Sequence, residues 1–143
     1  MAAQPDAVTI HASCVAFDGK AVLIQGASGS GKSALSLSLM AFGCELIADD
    51  QVVIARQDDL LVASCPPAIS NMIEARGIGI VNARARSAAP IHLVVDLDHT
   101  ETQRLPERRV ITQLGCDLPL ISRIAGAHFP AVILQILKEG LRV

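Results

Sequence analysis

Apolar and polar positions alternate loosely over residues 8–17 (VTIHASCVAF), the stretch ends at a D-G-K turn signal, and the short run AVLIQ follows at 21–25. Period-two alternation bounded by turn residues predicts strands, so this segment is expected as a hairpin feeding the glycines at 26–31. From Lys32 the apolar residues Leu35, Leu37, Leu39 and Met40 recur among serines as far as Gly43, which predicts one helix of about three turns with Gly43 as its C-cap. CELIA, QVVIAR and LLVAS then read as strands, separated by the pair Asp49 and Asp50 and by a QDD hairpin turn. Pro66 and Pro67 break regular structure. After them AISNMIEARGIGIVNA holds two glycines in apolar surroundings and is expected as a loop that approaches something closely, a ligand being one candidate. IHLVVDLD, RRVITQL and LPLISRI read as further strands, and AHFPAVILQILKEG has the length and end signals of a final helix, with Pro130 tolerated near its start. Strands outnumber helices and no repeat or low-complexity linker interrupts them. The pattern predicts an α/β chain with a largely β core and two helices, not a regularly alternating doubly wound sheet.

Composition narrows the functions open to such a chain. Its 143 residues are expected to form a single domain, 1–143, with a real core. A formal net charge of −2 gives no electrostatic footprint for nucleic acid, and the local cluster Arg104, Arg108 and Arg109 reads as a solvated edge. Phe17, Phe42 and Phe129 are the only aromatic residues, so the core must be aliphatic and a stacking platform for bases or sugars is not expected. The longest apolar runs fall far short of the roughly 20 residues of a membrane span, and the start MAAQPDAV lacks the pattern of a secretory signal. With no C-x-x-C pair, Cys14, Cys44, Cys65 and Cys116 read as reduced thiols packed as small hydrophobes, and a cytoplasmic location is expected.

The chemistry is carried by Gly26-Ala27-Ser28-Gly29-Ser30-Gly31-Lys32-Ser33, which fits G-x-x-x-x-G-K-[ST] between a predicted strand and a predicted helix. In such a P-loop the glycines let successive N–H groups point at phosphate oxygens, the lysine neutralises the β and γ phosphates, and the serine ligates Mg²⁺. Asp49 and Asp50 close a strand only 16 and 17 positions beyond Ser33, so that strand end is able to return beside the loop. One carboxylate there is placed to take a proton from an attacking hydroxyl while its neighbour, or another acid, helps to hold the metal. Asp96 and Asp98 in LVVDLD resemble a conventional Walker B strand end and compete for that role.

GASGSGKS, CELIADDQVVI and PPAISNMIEARGIGIVNA, with His11 placed 15 residues ahead of Gly26, together resemble the catalytic domain of the HPr serine kinase/phosphorylase family. The early ADD and the EARGIGIVN segment carry most of the specificity, and the likeness extends from about Val8 to the final helix. It implies a P-loop kinase fold of the type shared with phosphoenolpyruvate carboxykinase, a hexameric assembly, and ATP- and Mg²⁺-dependent phosphorylation of a serine of the phosphocarrier HPr or an HPr-like carrier. By the same resemblance Asp50 is the proton acceptor, and the proton donor in the reverse, phosphorolytic direction, with Asp49 as its close support. Lys32 contacts phosphate, Ser33 and Glu74 ligate Mg²⁺, and His11 matches a histidine of the active site. Arg76 falls beside the phosphates or a subunit contact, or pairs with Glu74.

The sequence also departs from the family pattern. Ala34 stands where an acid commonly follows the P-loop serine, and an arginine expected near the final helix has no clear equivalent, His128 being nearest. The family's N-terminal domain is absent from these residues, and the chain is compressed between Asn82 and Ile91 and around SRIAGAH. Two further readings therefore stay open: a nucleotide-sensing module without transfer, and a small-molecule P-loop kinase.

Overall fold

The computed structural model describes residues 6–67 and 71–142. Strand β3 (Lys20–Gln25) and the 13-residue β9 (Ala88–Thr100) pair in parallel at the centre, and β11 (Cys116–Arg123) joins β9 in parallel on its other side. Around them the pairings are antiparallel. β2 (Ser13–Phe17) pairs with both β3 and β4 (Glu45–Ala48), and β10 (Arg109–Gln113) with β11. The first three residues of β9 pair with β6 (Leu60–Ser64), which continues the sheet through β5 (Gln51–Gln57) to β1 (Ala7–His11). Because β9 serves both halves in turn, the sheet curls, and it has two faces to cover.

One face closes on itself around Leu23, Ile47, Ile54, Leu61 and Val94. The other is covered by α1 (Lys32–Ala41) and α2 (Phe129–Glu139), with Val22, Ile24, Leu93 and Val95 packed against Leu39, Ile133 and Leu137. This double burial is why AVLI and LVV are nearly continuous apolar runs and do not alternate. A bulge at His92 resets the alternation: the register steps from Ala21↔Ile91 to Val22↔Leu93, which leaves Ile91 on the curled face and Leu93 on the helix face.

The predicted strands and both helices are present, with three differences in how they connect. The expected hairpin over 8–25 is only half formed, since β2 and β3 turn at Asp18 and Gly19 (φ 51° and 78°) whereas β1 leaves to pair with β5. The helix caps at Phe42, and Gly43 is the residue after the cap. It holds φ +104° while its N–H donates to the Met40 carbonyl and that of Cys44 to the Leu39 carbonyl, a Schellman end. The segment expected as a loop is a two-stranded hairpin, β7 (Met72–Ala75) and β8 (Gly79–Asn82), apart from residues 68–70, which lie outside the described residues. Gly77 and Gly79 are not sites of close approach within the chain: a Cβ added at either meets nothing within 4 Å, and their φ of 86° and 133° serves the turn. After β8 the chain is tied to β4, with Leu46 donating to the Arg84 carbonyl and accepting from Arg86. That tie brings the hairpin over the start of α1.

All four cysteines are free, and burial pushes the Cys44 thiol up to about 11 and that of Cys14 higher still. Among the described residues no helix is long and apolar enough to cross a membrane.

Leu93 is fully buried between the central sheet and the helices. Leu93→Ala should lower the free energy of unfolding by about 2–5 kcal/mol in urea titration, the range for a leucine removed from a close-packed core. A loss below about 1 kcal/mol would mean that the sheet and helices do not pack as a rigid core.

Candidate functional site

β3 ends at Gln25 and the chain curls back on itself before α1 starts at Lys32. The curl is tight: a Cβ added at Gly26 would lie 2.5 Å from Ser30 Oγ and 3.1 Å from Leu97 Cβ, and the Ser30 N–H closes the turn onto the Ala27 carbonyl at 3.0 Å. Gly31 precedes α1 with φ +105°, and no side chain caps the helix, so its first N–H groups stay open to an anion. The buried face of α1 is Lys32, Leu35, Ser36 and Leu39, at helical spacing. Lys32 is thus drawn under the loop, only 7% exposed, and its Nζ donates to the carbonyls of Gly26 (2.8 Å) and Ala27 (3.1 Å). Those two carbonyls hold the ammonium beside the cradle in place of water.

The acidic pair arrives through a change of sheet. At Ala12 the chain passes from β1 to β2, and at Asp49 and Asp50 it passes from β4 to β5, the two crossings lying side by side. Register places His11 opposite Gln51 and Cys14 opposite Ala48, and the Ala12 N–H donates to the Asp50 carbonyl at 3.2 Å. Asp49 points inward. Its Oδ1 accepts from Ser33 Oγ at 2.7 Å and Ser13 Oγ at 2.8 Å, while Oδ2 accepts from the Glu74 N–H at 3.3 Å. Asp50 points outward at φ +72°, its side chain 71% exposed, with Oδ1 2.8 Å from His11 Nε2. A non-glycine residue in the left-handed region is held there by its neighbours, and here the paired crossing holds it.

His11, Ser13, Gly31, Lys32, Ser33, Asp50, Glu74 and Arg76 line one cleft of about 520 Å³. The sequence-predicted residues are therefore brought together, with the acidic pair on one side of Ser33 and the β7–β8 hairpin on the other. Among the described residues Glu74 and Arg76 form no ion pair with each other, and no three His, Cys, Asp or Glu side chains gather into a closed metal cage. The competing acids face elsewhere. Asp96 binds the Asp98 N–H (2.8 Å) and His99 Nδ1 (2.5 Å), and Asp98 Oδ1 accepts from the Ala27 N–H at 2.9 Å, so this strand end braces the loop from behind and does not reach Ser33. Two residues escaped the sequence reading. Ser13 is a fully buried hydroxyl at the head of an apolar strand, a position that requires a partner and so was a readable signal. Arg123, whose Nη2 donates to the Ser30 carbonyl, is separated from it by 93 positions and left no local sign.

A curled, mainly β sheet with the P-loop at the end of its central parallel strand, one helix following that loop and an acidic crossing beside it define a P-loop protein of the kinase type. A profile described as the HPr Serine kinase C-terminal domain matches residues 3–139, and the chain belongs to that family. It is 36% identical over 129 residues to HPr kinase/phosphorylase 1 of Oceanobacillus iheyensis, covering 85% of this chain and 40% of that protein. With the HPr kinase/phosphorylase of Listeria welshimeri it shares 37% identity over 150 residues, covering 95% and 48%. The chain thus spans about half the length of the curated relatives it matches. The solved structure of the Hpr(Ser) kinase/phosphatase from Coxiella burnetii superposes with a TM-score of 0.77 at 26% identity, over 92% of this chain and 88% of that one.

Gly26→Ala should disturb the loop at its tightest contact. Thermal unfolding of that variant should show a loss of about 1–3 kcal/mol, the usual cost of overpacking a close contact. An unchanged melting temperature would show that the loop is free to open.

Proposed function

We propose that the chain is the catalytic domain of an ATP- and Mg²⁺-dependent kinase that phosphorylates a serine of HPr or an HPr-like phosphocarrier, and that it also runs the reverse phosphorolysis. The observation that carries this reading is the division of labour in the acidic pair: Asp49 engages the P-loop serine, and Asp50 faces the open cleft with His11 on one of its oxygens. Phosphoryl transfer asks mainly for positioning and electrostatics, and each required part has a residue. The open N–H groups of the loop and Lys32 would take the phosphates of ATP. Ser33, Glu74 and Asp49 are oxygen donors suited to a hard divalent ion that keeps water and phosphate oxygens in its shell. Mg²⁺ bound there would neutralise charge on the β and γ phosphates.

The remaining chemistry belongs to Asp50. Among the described residues its Oδ2 accepts no hydrogen bond, so it is free to receive the proton of an incoming seryl hydroxyl while His11 fixes Oδ1. As the seryl oxygen bonds to the γ-phosphorus, the bond from that phosphorus to the β-phosphate oxygen breaks and ADP leaves. In phosphorolysis an oxygen of inorganic phosphate bonds to the phosphorus of the phosphoserine, the bond from that phosphorus to the seryl oxygen breaks, Asp50 gives its proton to that oxygen, and pyrophosphate leaves. The exposure of Asp50 suits a bulky protein acceptor better than an enclosed metabolite. The matched relatives are named as HPr kinase/phosphorylases, which supports the same acceptor. A homo-oligomer, hexameric by family resemblance, and a cytoplasmic location belong to this reading.

Asp50→Asn should leave ATP binding intact and lower transfer to HPr by about 10²–10⁴, the usual contribution of a general base, as followed with labelled ATP. Asp96→Asn should change transfer by less than about threefold, since that carboxylate lies behind the loop. If the double variant Asp49→Asn/Asp50→Asn transfers phosphate at the wild-type rate, the kinase mechanism is wrong. In the same assay Glu74→Gln should raise the Mg²⁺ concentration needed for half-maximal rate, and an identical dependence would return Glu74 to a structural role.

A further inference from the structure

The short turn over residues 27–30 is gripped at both ends by side chains that the phosphate chemistry does not use. At its start the Ala27 N–H donates to Asp98 Oδ1 at 2.9 Å. At its far end the Ser30 carbonyl accepts from Arg123 Nη2, and the same guanidinium lies 3.7 Å from where a Cβ of Gly31 would stand. Asp98 comes from the end of β9 and Arg123 from the end of β11, two strands paired in parallel. Both anchors are themselves braced: Asp96 Oδ1 accepts the Asp98 N–H, and the Glu101 N–H donates to the Arg123 carbonyl at 2.7 Å. Arg123 Nε and Ser30 Oγ are buried and have no hydrogen-bond partner among the described residues, so the guanidinium is held for one contact and not spread over several.

We propose that Asp98 and Arg123 are positioning residues that strap the P-loop to the ends of β9 and β11, and that this strap sets the affinity for the phosphates of a nucleotide without taking part in transfer. The physical argument is preorganisation. A glycine-rich turn left to itself populates many backbone conformations, and each must be lost when N–H groups converge on an anion. A carboxylate on the first N–H and a guanidinium on the last carbonyl remove that freedom before the ligand arrives, through charge-assisted hydrogen bonds. The charges also have opposite consequences. Arg123 adds positive potential beside Gly31, whereas Asp98 is tolerated near an anion site because its oxygen is spent on an N–H at the rear of the turn. What Asp98 supplies is therefore an acceptor, and the amide oxygen of asparagine serves as well.

This inference rests on the P-loop binding ATP, and two measurements keep the two claims apart. In the ligand-free protein, amide hydrogen exchange at Ala27 reads the strap directly: Asp98→Ala should accelerate it by about tenfold or more, the equivalent of one lost hydrogen bond to a charged group, and Asp98→Asn should not. In calorimetric titration with ATP and Mg²⁺, Asp98→Ala and Arg123→Ala should each weaken binding by about tenfold, Asp98→Asn should bind as tightly as wild type or tighter, and Arg123→Lys should recover part of the loss. With HPr as acceptor the alanine variants should raise KM for ATP while kcat stays within about threefold. If Asp98→Ala is unstable, Asp98→Leu, which keeps the volume and removes the acceptor, takes its place in exchange and titration with the same expected and overturning results, and Arg123→Lys does so for Arg123→Ala, a wild-type affinity there overturning the role of Arg123. Unchanged exchange in Asp98→Ala, or equal losses in Asp98→Ala and Asp98→Asn, would overturn the strap. A wild-type protein that shows the exchange pattern but binds no ATP would instead overturn the nucleotide reading, and the claim about affinity with it.

Discussion

The parallel pairing of β3 with β9 is the constraint on which the site depends. Two parallel strands finish on the same side of a sheet, so the P-loop that leaves β3 and the acids that leave β9 are delivered to one edge. β11 adds a third parallel strand and brings Arg123 to that edge as well. Parallel strands demand cover on both faces, and here the curl of the sheet covers one face and the two helices the other. Packing α1 against that sheet fixes the axis of the helix, and with it the direction in which the open N–H groups at its start must point. The anion site is thus a by-product of how the core is closed.

The second half of the site follows from strands that change partner. A strand that leaves one part of a curled sheet for another cannot keep its ladder through the corner, and the residues there lose regular partners. Ala12, Asp49 and Asp50 occupy such a corner, where two adjacent chains cross together. Asp49 meets the loss by taking two hydroxyls and an N–H, and Asp50 by adopting a left-handed backbone with its side chain turned to solvent. Neighbouring acids on opposite sides of one backbone meet different surroundings without competing for one partner. A flat sheet would have paired both residues and offered neither.

Three groups of carboxylates are thereby set apart by placement alone. Asp50 faces the cleft while Asp49 turns inward onto Ser33, Glu74 approaches on the β7–β8 hairpin, and Asp96 and Asp98 sit behind the loop. The pattern LVVDLD has the form of a metal-binding strand end, yet its geometry makes it a brace. Chemistry that is identical in side-chain type is separated by which face of the P-loop it meets.

Read as a one-dimensional pattern, the chain determined its own elements and its phosphate loop. The glycine spacing over 26–33, the apolar runs on either side and the turn signals at Asp18, Gly19, Asp58 and Gly43 act over a few residues, and local sterics decide them. The early position of Asp49 and Asp50 was equally legible, and the likeness of ADD and EARGIGIVN to one family pointed to their use. Partner choice was not legible. That β1 pairs with β5 and not with β2, that Ser13 lies against Asp49, that Asp98 holds Ala27 and that Arg123 reaches Ser30 are contacts across 36 to 93 positions. Such contacts are selected by the burial of two sheet faces at once, a condition on the whole chain that no window of sequence contains. Even the buried face of α1 was hidden for this reason, because two of its four positions are a lysine and a serine, drawn inward by the loop's carbonyls and the helix backbone and not by apolarity.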